Sequence, residues 1–388
     1  MADTPTDTAS AASAGPTISL GKASLHIGLS LVVLAVIGYF TFDAQAFGQM
    51  VQSINPWWLV AIAGSLVVRI GFGAWRLSYV SHGRLTFMAA LRGQLAWDLF
   101  SNITPSAVGG GPLATLYVAH DQKMSFGQSS GLFLFSSLLD QLFLALTIPI
   151  TLLAAAHFEV FPDTLGPIGT GAFIGYFLLM LGWVLVFGYT TMVRPDHMQH
   201  IADRLFRLRF LRRFRTRVAH EVSQMAVYAR MLRTQPISFF INGFLMTTVS
   251  WLARYALIVF IVWSVYPEVD SALLFLRSMA MMLGTLLLPT PGGSGGIEGL
   301  YLLFLGPLMP DPLVAPTLLS WRVLGYYIFI AFGVFLPGRL FTQPLSLPTA
   351  EATEPATLPS NGSGDGVPPH PPAEDTPLPH VEPADPGS

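Results

Sequence analysis

Long apolar runs alternate with short polar connections over most of the chain. A helix of about 20 apolar residues is long enough to cross the hydrocarbon core of a bilayer. Runs close to that length, or longer, occupy residues 25–42, 56–75, 128–155, 167–193, 237–265 and 313–336. The pattern therefore predicts an all-α polytopic membrane protein with about six transmembrane helices.

Two further apolar segments are interrupted by proline and glycine. The interruptions read NITPSAVGGGP at residues 102–112 and LPTPGGSGGIEG at residues 288–299. The apolar pieces around them are 86–104 and 113–120 at the first break, and 273–288 and 297–305 at the second. The apolar pieces after the breaks are too short to cross the bilayer. Because paired breaks in corresponding positions are typical of transporters with internal repeats, we predict two re-entrant hairpins in an inverted repeat.

Basic residues indicate the orientation, since short cytoplasmic loops are enriched in Lys and Arg. The arginine-rich segment 194–233 is therefore predicted to be cytoplasmic. The same orientation places Arg76, Arg84 and Lys123 inside, and the acidic loops around Asp43, 159–163 and 268–270 outside. Both termini are then cytoplasmic, and the two hairpins enter from opposite sides. If both broken segments instead crossed fully, basic and acidic loops would no longer sort by side.

The composition changes at both ends of the apolar region. The first residues are small and polar, and the last are dense in Pro, Gly, Ser and acids, so neither end can bury a core. The predicted parts are a disordered N-terminus (1–24), a transmembrane domain (25–341) with halves 25–193 and 237–341, a basic connecting segment (194–236), and a disordered cytoplasmic tail (342–388). The basic segment is either an amphipathic helix on anionic headgroups or a topology anchor.

Composition and motifs exclude several kinds of site. Only 11% of the 388 residues are charged, far below the roughly 25% of soluble domains. The chain has no cysteine, which removes disulfides and thiolate metal sites. A G-x-G-x-x-A pattern at Gly109 follows a membrane segment instead of a strand, and the pair His197 and His200 has no third ligand at a recognised spacing. We predict no catalytic residue, metal, cofactor or nucleic-acid partner.

Ionisable side chains inside membrane segments are costly, and they usually face the protein interior or a cavity. Gln94, Asp98 and Asn102 recur at helical spacing and form a polar stripe that leads to the first break. Other candidates are Asp140 in the next span, Arg254 and Arg322 in the second half, and Glu298 just after the second break.

Two interpretations of these charges are open, and they can hold together. In one, Arg254 and Arg322 form the cationic wall of a cavity for an anionic headgroup, helped by backbone amides where helices restart. Pro112 suits such a first turn, whereas Glu298 would stabilise its own helix end and compete with an anion. In the other, Asp98, Asp140 or Glu298 neutralises the arginines, and the pairs only hold spans together.

The breaks and the charged spans also carry motifs of a known family. The chain resembles the lysylphosphatidylglycerol synthase transmembrane family, also described as flippase-like, over about 25–340. The residues that match its pattern are Asn102, Pro105, Gly109, Gly110, Asp140, Pro289, Pro291, Gly292, Gly293, Glu298 and Arg322. One departure is Ser136-Ser137, where the family pattern has Glu-Arg before the aspartate. The predicted substrate-binding set consists of these matching residues except Pro289, together with Asp98, Gly111, Arg254 and Gly295.

The resemblance implies lipid translocation or an accessory role. Members that make charged lipids carry a soluble aminoacyl-transferase domain, where this chain has its Pro-rich tail. We predict a protein of the cell membrane that moves an anionic lipid, a phospholipid or an isoprenoid-phosphate carrier, between leaflets. The alternatives are a scaffold that docks a lipid-modifying enzyme through the basic segment or the tail, and, after it, an intramembrane enzyme. The sequence does not indicate an oligomeric state.

Overall fold

A computed structural model describes residues 54–103, 110–192, 234–285 and 295–335, together with Gly48 and Gln52. Over these residues the secondary structure is helical, with no strand. The helices are α1 (Pro56–Val80), α2 (Phe87–Ile103), α3 (Gly110–Asp121), α4 (Phe126–Ala154), α5 (Gly166–Met192), α6 (Ile237–Trp263), α7 (Ser271–Thr285), α8 (Gly296–Phe304), α9 (Asp311–Arg322) and α10 (Ile328–Phe335). The predicted N-terminus, first span and tail, and most of the basic segment, lie outside the described residues.

Five described helical stretches are long and apolar enough to cross a membrane. They are Pro56–Val80, Phe126–Ala154, Asp163–Leu185, Ile237–Trp263 and Asp311–Phe332, which match five of the predicted spans. Large apolar side chains project outward from them, including Val67, Leu153, Ile168, Leu179 and Ile237, each at least 70% exposed. Such a surface is stable when lipid tails cover it. The prediction of an all-α polytopic membrane protein is confirmed.

Helices α1 and α6 pack side by side in opposite directions and join the two halves of the chain. The ring centroids of Trp58 and Trp263 are 5.8 Å apart at one end, and those of Tyr79 and Phe239 are 5.1 Å apart at the other. Midway along the pair, the Ser250 hydroxyl donates to the backbone oxygen of Arg69 at 3.0 Å. This packing turns the polar positions of α1 toward those of α6.

Helices α2 and α3 form an antiparallel hairpin around the first break. Arg92 Nη2 pairs with Asp121 Oδ2 at 2.9 Å where the two helices meet their flanking loops. At the opposite end Gly110 lies so close to Ser101 that an added Cβ would be 2.5 Å from the Ser101 backbone nitrogen. Only glycine allows this approach, so Gly110 holds the closed end of the hairpin together.

Replacing Gly110 by alanine is expected to lower the free energy of unfolding by about 1–3 kcal/mol, because the new methyl group would push α3 away from α2. Gly111→Ala is the matched control, since a Cβ at Gly111 meets no atom within 4 Å. Thermal unfolding in detergent compares the two variants. Equal melting temperatures would show that α2 and α3 can separate at no cost.

Helices α7 and α8 form a second antiparallel pair around the second break. A Cβ on Gly284 would be 3.3 Å from the Leu300 side chain. Nearer the start of α7, Arg277 Nη1 donates to the Phe304 backbone oxygen at the end of α8, at 3.3 Å, and its Nε donates to the Glu159 backbone oxygen at 2.9 Å. One buried arginine therefore satisfies carbonyl groups of both α8 and the α4–α5 loop.

The breaks themselves are narrower than the sequence predicts. Asn102 lies in the last turn of α2, and Gly110, Gly111 and Pro112 belong to α3. Helices α2 and α3 have 17 and 12 residues, about 26 Å and 18 Å at 1.5 Å per residue, and neither reaches the length of a full span. Re-entrance of the two hairpins from opposite sides stays a prediction.

Candidate functional site

Asp98 is the centre of the first charge cluster. Arg69 Nη2, from α1, donates to Asp98 Oδ1 at 2.7 Å. Gln94, one turn earlier on α2, donates to Asp98 Oδ2 at 3.2 Å, as the predicted polar stripe requires. Arg254 Nη2, from α6, lies 3.7 Å from the same Oδ1. Two guanidinium groups, one from each half of the chain, therefore share one carboxylate.

The two arginines of this cluster have different surroundings. The side chains of Arg69 and Asp98 are each 8% exposed, whereas that of Arg254 is 33% exposed. The Arg69 guanidinium lies 4.1 Å from the centre of the Phe329 ring, and that of Arg254 lies 4.7 Å from the Trp251 ring. Aromatic faces stabilise a cation that has lost its water. Arg254 is thus the more accessible and more weakly paired of the two.

A second cluster surrounds Asp140 on α4. Arg76 Nη1 donates to Asp140 Oδ1 at 2.5 Å and to the Thr247 hydroxyl at 3.2 Å. The Trp251 indole donates to the same carboxylate oxygen at 2.9 Å. Because Trp251 also stacks on Arg254, it joins the Asp140 cluster to the Asp98 cluster.

Glu298 forms the third cluster and acts on its own helix end, as one sequence interpretation expected. Its Oε2 accepts a hydrogen bond from the Gly295 backbone nitrogen at 2.8 Å, which caps the start of α8. Gly295 has φ +84°, a conformation that favours glycine. The other oxygen, Oε1, lies 2.9 Å from Arg322 Nε, and both side chains are at most 3% exposed. Arg322 and Glu298 form a buried ion pair.

The residues after Arg322 connect the second break to the first. Val323–Tyr327 forms a π-helical turn, a distortion that is frequent at functional sites. The Arg322 guanidinium lies 4.3 Å from the centre of the Tyr326 ring. The Tyr326 hydroxyl donates to the backbone oxygen of Asn102, two residues before the first break, at 3.2 Å. Arg322 and the turn that follows it therefore contact both broken hairpins.

The structure brings together part of the predicted substrate-binding set. Asp98 and Arg254 share a cluster, Asp140 joins it through Trp251, and Glu298 pairs with Arg322. Five predicted positions lie outside the described residues: Pro105, Gly109, Pro291, Gly292 and Gly293. Gly110 and Gly111 are helical, and Gly295 precedes α8. The role of all these residues in binding a substrate stays a prediction.

Sequence reasoning missed Arg69 altogether and read Arg76 only as an orientation marker. Arg69 lies 11 residues before the end of α1, about 17 Å along its axis, and is 7% exposed. A lone arginine in the middle of an apolar run is itself a signal of a buried partner. Its partner Asp98 is 29 positions away, however, and no local spacing indicates that pairing.

A cavity of about 490 Å³, lined by none of the residues of these clusters, lies where α1 ends and α6 begins. Its walls include Trp75, Tyr79, His82 and Phe239. Burial, and then the neighbouring Arg84, lowers the pKa of His82, so the ring is neutral at pH 7. The cavity therefore offers aromatic walls and no arginine, and it does not extend the charge clusters.

Comparison with known proteins identifies the family. The family model described as "Lysylphosphatidylglycerol synthase TM region" matches residues 27–333. The chain belongs to this family. A UPF0104 membrane protein of Archaeoglobus fulgidus is 21% identical over 324 residues, which cover 80% of this chain and 94% of that protein. No solved structure matches the chain.

The predicted departure at Ser136-Ser137 lies one turn before Asp140 on α4. Ser136 is wholly buried, and its hydroxyl has no hydrogen-bond partner among the described residues. Asp140 nevertheless has a cation, because Arg76 reaches it from α1. The cation that pairs with Asp140 therefore comes from α1 and not from the helix that carries the aspartate.

Proposed function

We propose that the chain moves an anionic lipid between the leaflets of the cell membrane and catalyses no covalent reaction. The observation that supports this most is Arg254, a second guanidinium on a carboxylate that already has a close partner. Arg254 lies nine residues before the end of α6, about 14 Å along its axis, and is partly accessible. A partly buried arginine needs a polar partner, and a lipid phosphate is an anion that membranes supply.

The two broken hairpins support transport over a static role. Their closed ends meet the charge clusters: Asp98 is on α2, and Glu298 is on α8. Interrupted helices at a buried polar site are the arrangement that transporters use to expose a site to one side at a time. The proposed orientation has both termini in the cytoplasm, following the sorting of Lys and Arg in the sequence.

Arg254→Gln is expected to reduce the rate of lipid exposure at least about tenfold in liposomes, because glutamine cannot pair with a phosphate charge. The purified protein is reconstituted with fluorescent phosphatidylglycerol, and the label that a membrane-impermeant reductant can reach is followed over time. Arg254→Lys keeps the charge but loses the planar fork, so its activity is expected to fall between the wild type and Arg254→Gln.

Arg92→Gln is the control for this experiment. Arg92 is 39% exposed, pairs with Asp121 at the open end of the first hairpin, and lies away from the three clusters. Removal of an exposed pair has a small effect on stability, so this variant should keep its activity. A well-folded wild-type protein that exposes no lipid would reject the proposal and favour the scaffold role.

A further inference from the structure

The ion pairs in the interior of the helix bundle do not balance. Among the described residues, Asp140 pairs with Arg76, and Glu298 pairs with Arg322. Asp98 has both Arg69 and Arg254. These four guanidinium groups therefore carry one positive charge more than the three carboxylates that they contact.

The sequences of the two break segments that lie outside the described residues, and of the predicted first span, contain no acid. The break segments 104–109 and 286–294 contain no ionisable side chain. The predicted first span, 25–42, contains His26, which is neutral or cationic, and no acid. Asp121, the remaining carboxylate of the first hairpin, is already paired with Arg92. These segments therefore add no acid to the charges that the structure describes.

We propose that the site around Arg254 selects a headgroup with a single negative charge, a phosphodiester, over a phosphate monoester or a diphosphate. This inference rests on the proposed function and names its substrate class. A phosphodiester has one charge and balances the surplus. A phosphate monoester carries about −1.5 to −2 at pH 7, which would leave negative charge uncompensated in the interior. A phospholipid then fits the site better than an isoprenoid-phosphate carrier does.

Arg69 and Arg254 have distinct roles at Asp98. Arg69 takes the close contact with Asp98 Oδ1, and Gln94 donates to Oδ2, so the carboxylate is already satisfied. Arg254, at 3.7 Å, is held by Asp98 only weakly. Its guanidinium carbon lies 4.7 Å from the centre of the Trp251 ring, and a planar guanidinium group can bind two phosphate oxygens at once. Arg69 is a positioning residue, and Arg254 is the residue that contacts the headgroup.

A matched pair of lipids tests the charge selection directly. Phosphatidylmethanol and phosphatidic acid have the same tails and differ by one methyl group, which makes the first a diester and the second a monoester. Purified full-length protein is offered equal amounts of both at pH 7.5, and the retained lipids are counted by native mass spectrometry. We expect phosphatidylmethanol to be retained at least about tenfold more, because uncompensated charge is costly in the interior. Farnesyl methyl phosphate against farnesyl phosphate repeats the comparison with an isoprenoid tail.

Two variants change the surplus charge in opposite directions. Arg254→Gln removes it and should abolish the preference for phosphatidylmethanol. Asp98→Asn raises it to two and should shift retention toward phosphatidic acid. If Asp98→Asn does not fold, the wild-type comparison and Arg254→Gln decide alone.

Equal retention of the two lipids by the wild type, a preference for phosphatidic acid, or an unchanged preference in Arg254→Gln overturns the inference. Binding and lipid exposure are separate measurements, so the two proposals fail separately. Selective retention without lipid exposure would remove the transport proposal and keep the charge selection. Exposure of phosphatidylmethanol and phosphatidic acid at equal rates, with equal retention, would remove the charge selection and keep the transport proposal.

Discussion

Replacing Glu298 by glutamine is expected to lower the free energy of unfolding by about 3–5 kcal/mol, the usual cost of leaving one partner of a buried ion pair without the other. The Arg322 side chain is 3% exposed, and that of Glu298 is wholly buried, so water cannot take the place of the lost carboxylate. Glutamine still has an oxygen that accepts from the Gly295 backbone nitrogen. The loss would therefore come from the charge and not from the helix cap.

A second substitution tests whether the loss of stability comes from the unpaired charge of Arg322. Arg322→Met added to Glu298→Gln should recover most of the lost stability, because no charge is then buried alone. Glu159→Gln serves as the control, since its side chain is exposed in the α4–α5 loop. Melting temperatures of the wild type, Glu298→Gln, Arg322→Met and the double variant in one detergent give the coupling energy. Additive effects would mean that Glu298 and Arg322 do not stabilise one another.

Replacing Asp98 by asparagine is expected to lower the free energy of unfolding by at least as much as Glu298→Gln does, about 3–5 kcal/mol, because it leaves two arginines without a carboxylate. Arg69 and Arg254 both contact Asp98 Oδ1, and their like charges would repel one another in a buried site. Asp140→Asn should cost less than Asp98→Asn, because the Asp140 side chain is 22% exposed and the Asp98 side chain 8%.

Rescue by a second substitution distinguishes repulsion from simple loss of contact. Asp98→Asn with Arg69→Met returns the surplus to one positive charge, as in the wild type, and should recover part of the stability. Unfolding by heat in detergent, with and without phosphatidylglycerol, measures the difference. If Asp98→Asn melts like the wild type, the two arginines do not depend on this carboxylate.

The ion pair at Glu298 also bears on how the two hairpins can move. Glu298 caps α8 after the second break, and Arg322 and Tyr326 follow one another on the last described span. Tyr326 contacts the last turn of α2 before the first break. A shift of either hairpin therefore strains contacts with the other. Under the proposed transport function, this shared element would couple the movements of the two hairpins.

The sequence predicted the spans and the positions of the breaks well, because both depend on local properties. Length and hydrophobicity decide whether a helix can cross a membrane, and they identified the stretches that became α1, α4, α5 and α6. Proline and glycine decide where helices stop, and the ends of α2 and α7 fall next to the predicted breaks. The polar stripe of Gln94 and Asp98 was also local, since i and i+4 share a helix face.

The choice of partners among the buried charges was beyond the sequence. Arg322 was predicted to face a ligand or an acid, and only the packing of α8 against α9 and the π-helical turn placed it against Glu298. Arg69 and Asp98 come from different helices, as do Arg76 and Asp140. The sequence by itself determined the membrane class, the five described spans and the places where α2 and α7 end, because these follow from the cost of exposing backbone and charge to lipid. The tertiary structure alone decided which charges are balanced and which is left over, because Coulomb energy depends on distances between helices that no local spacing encodes.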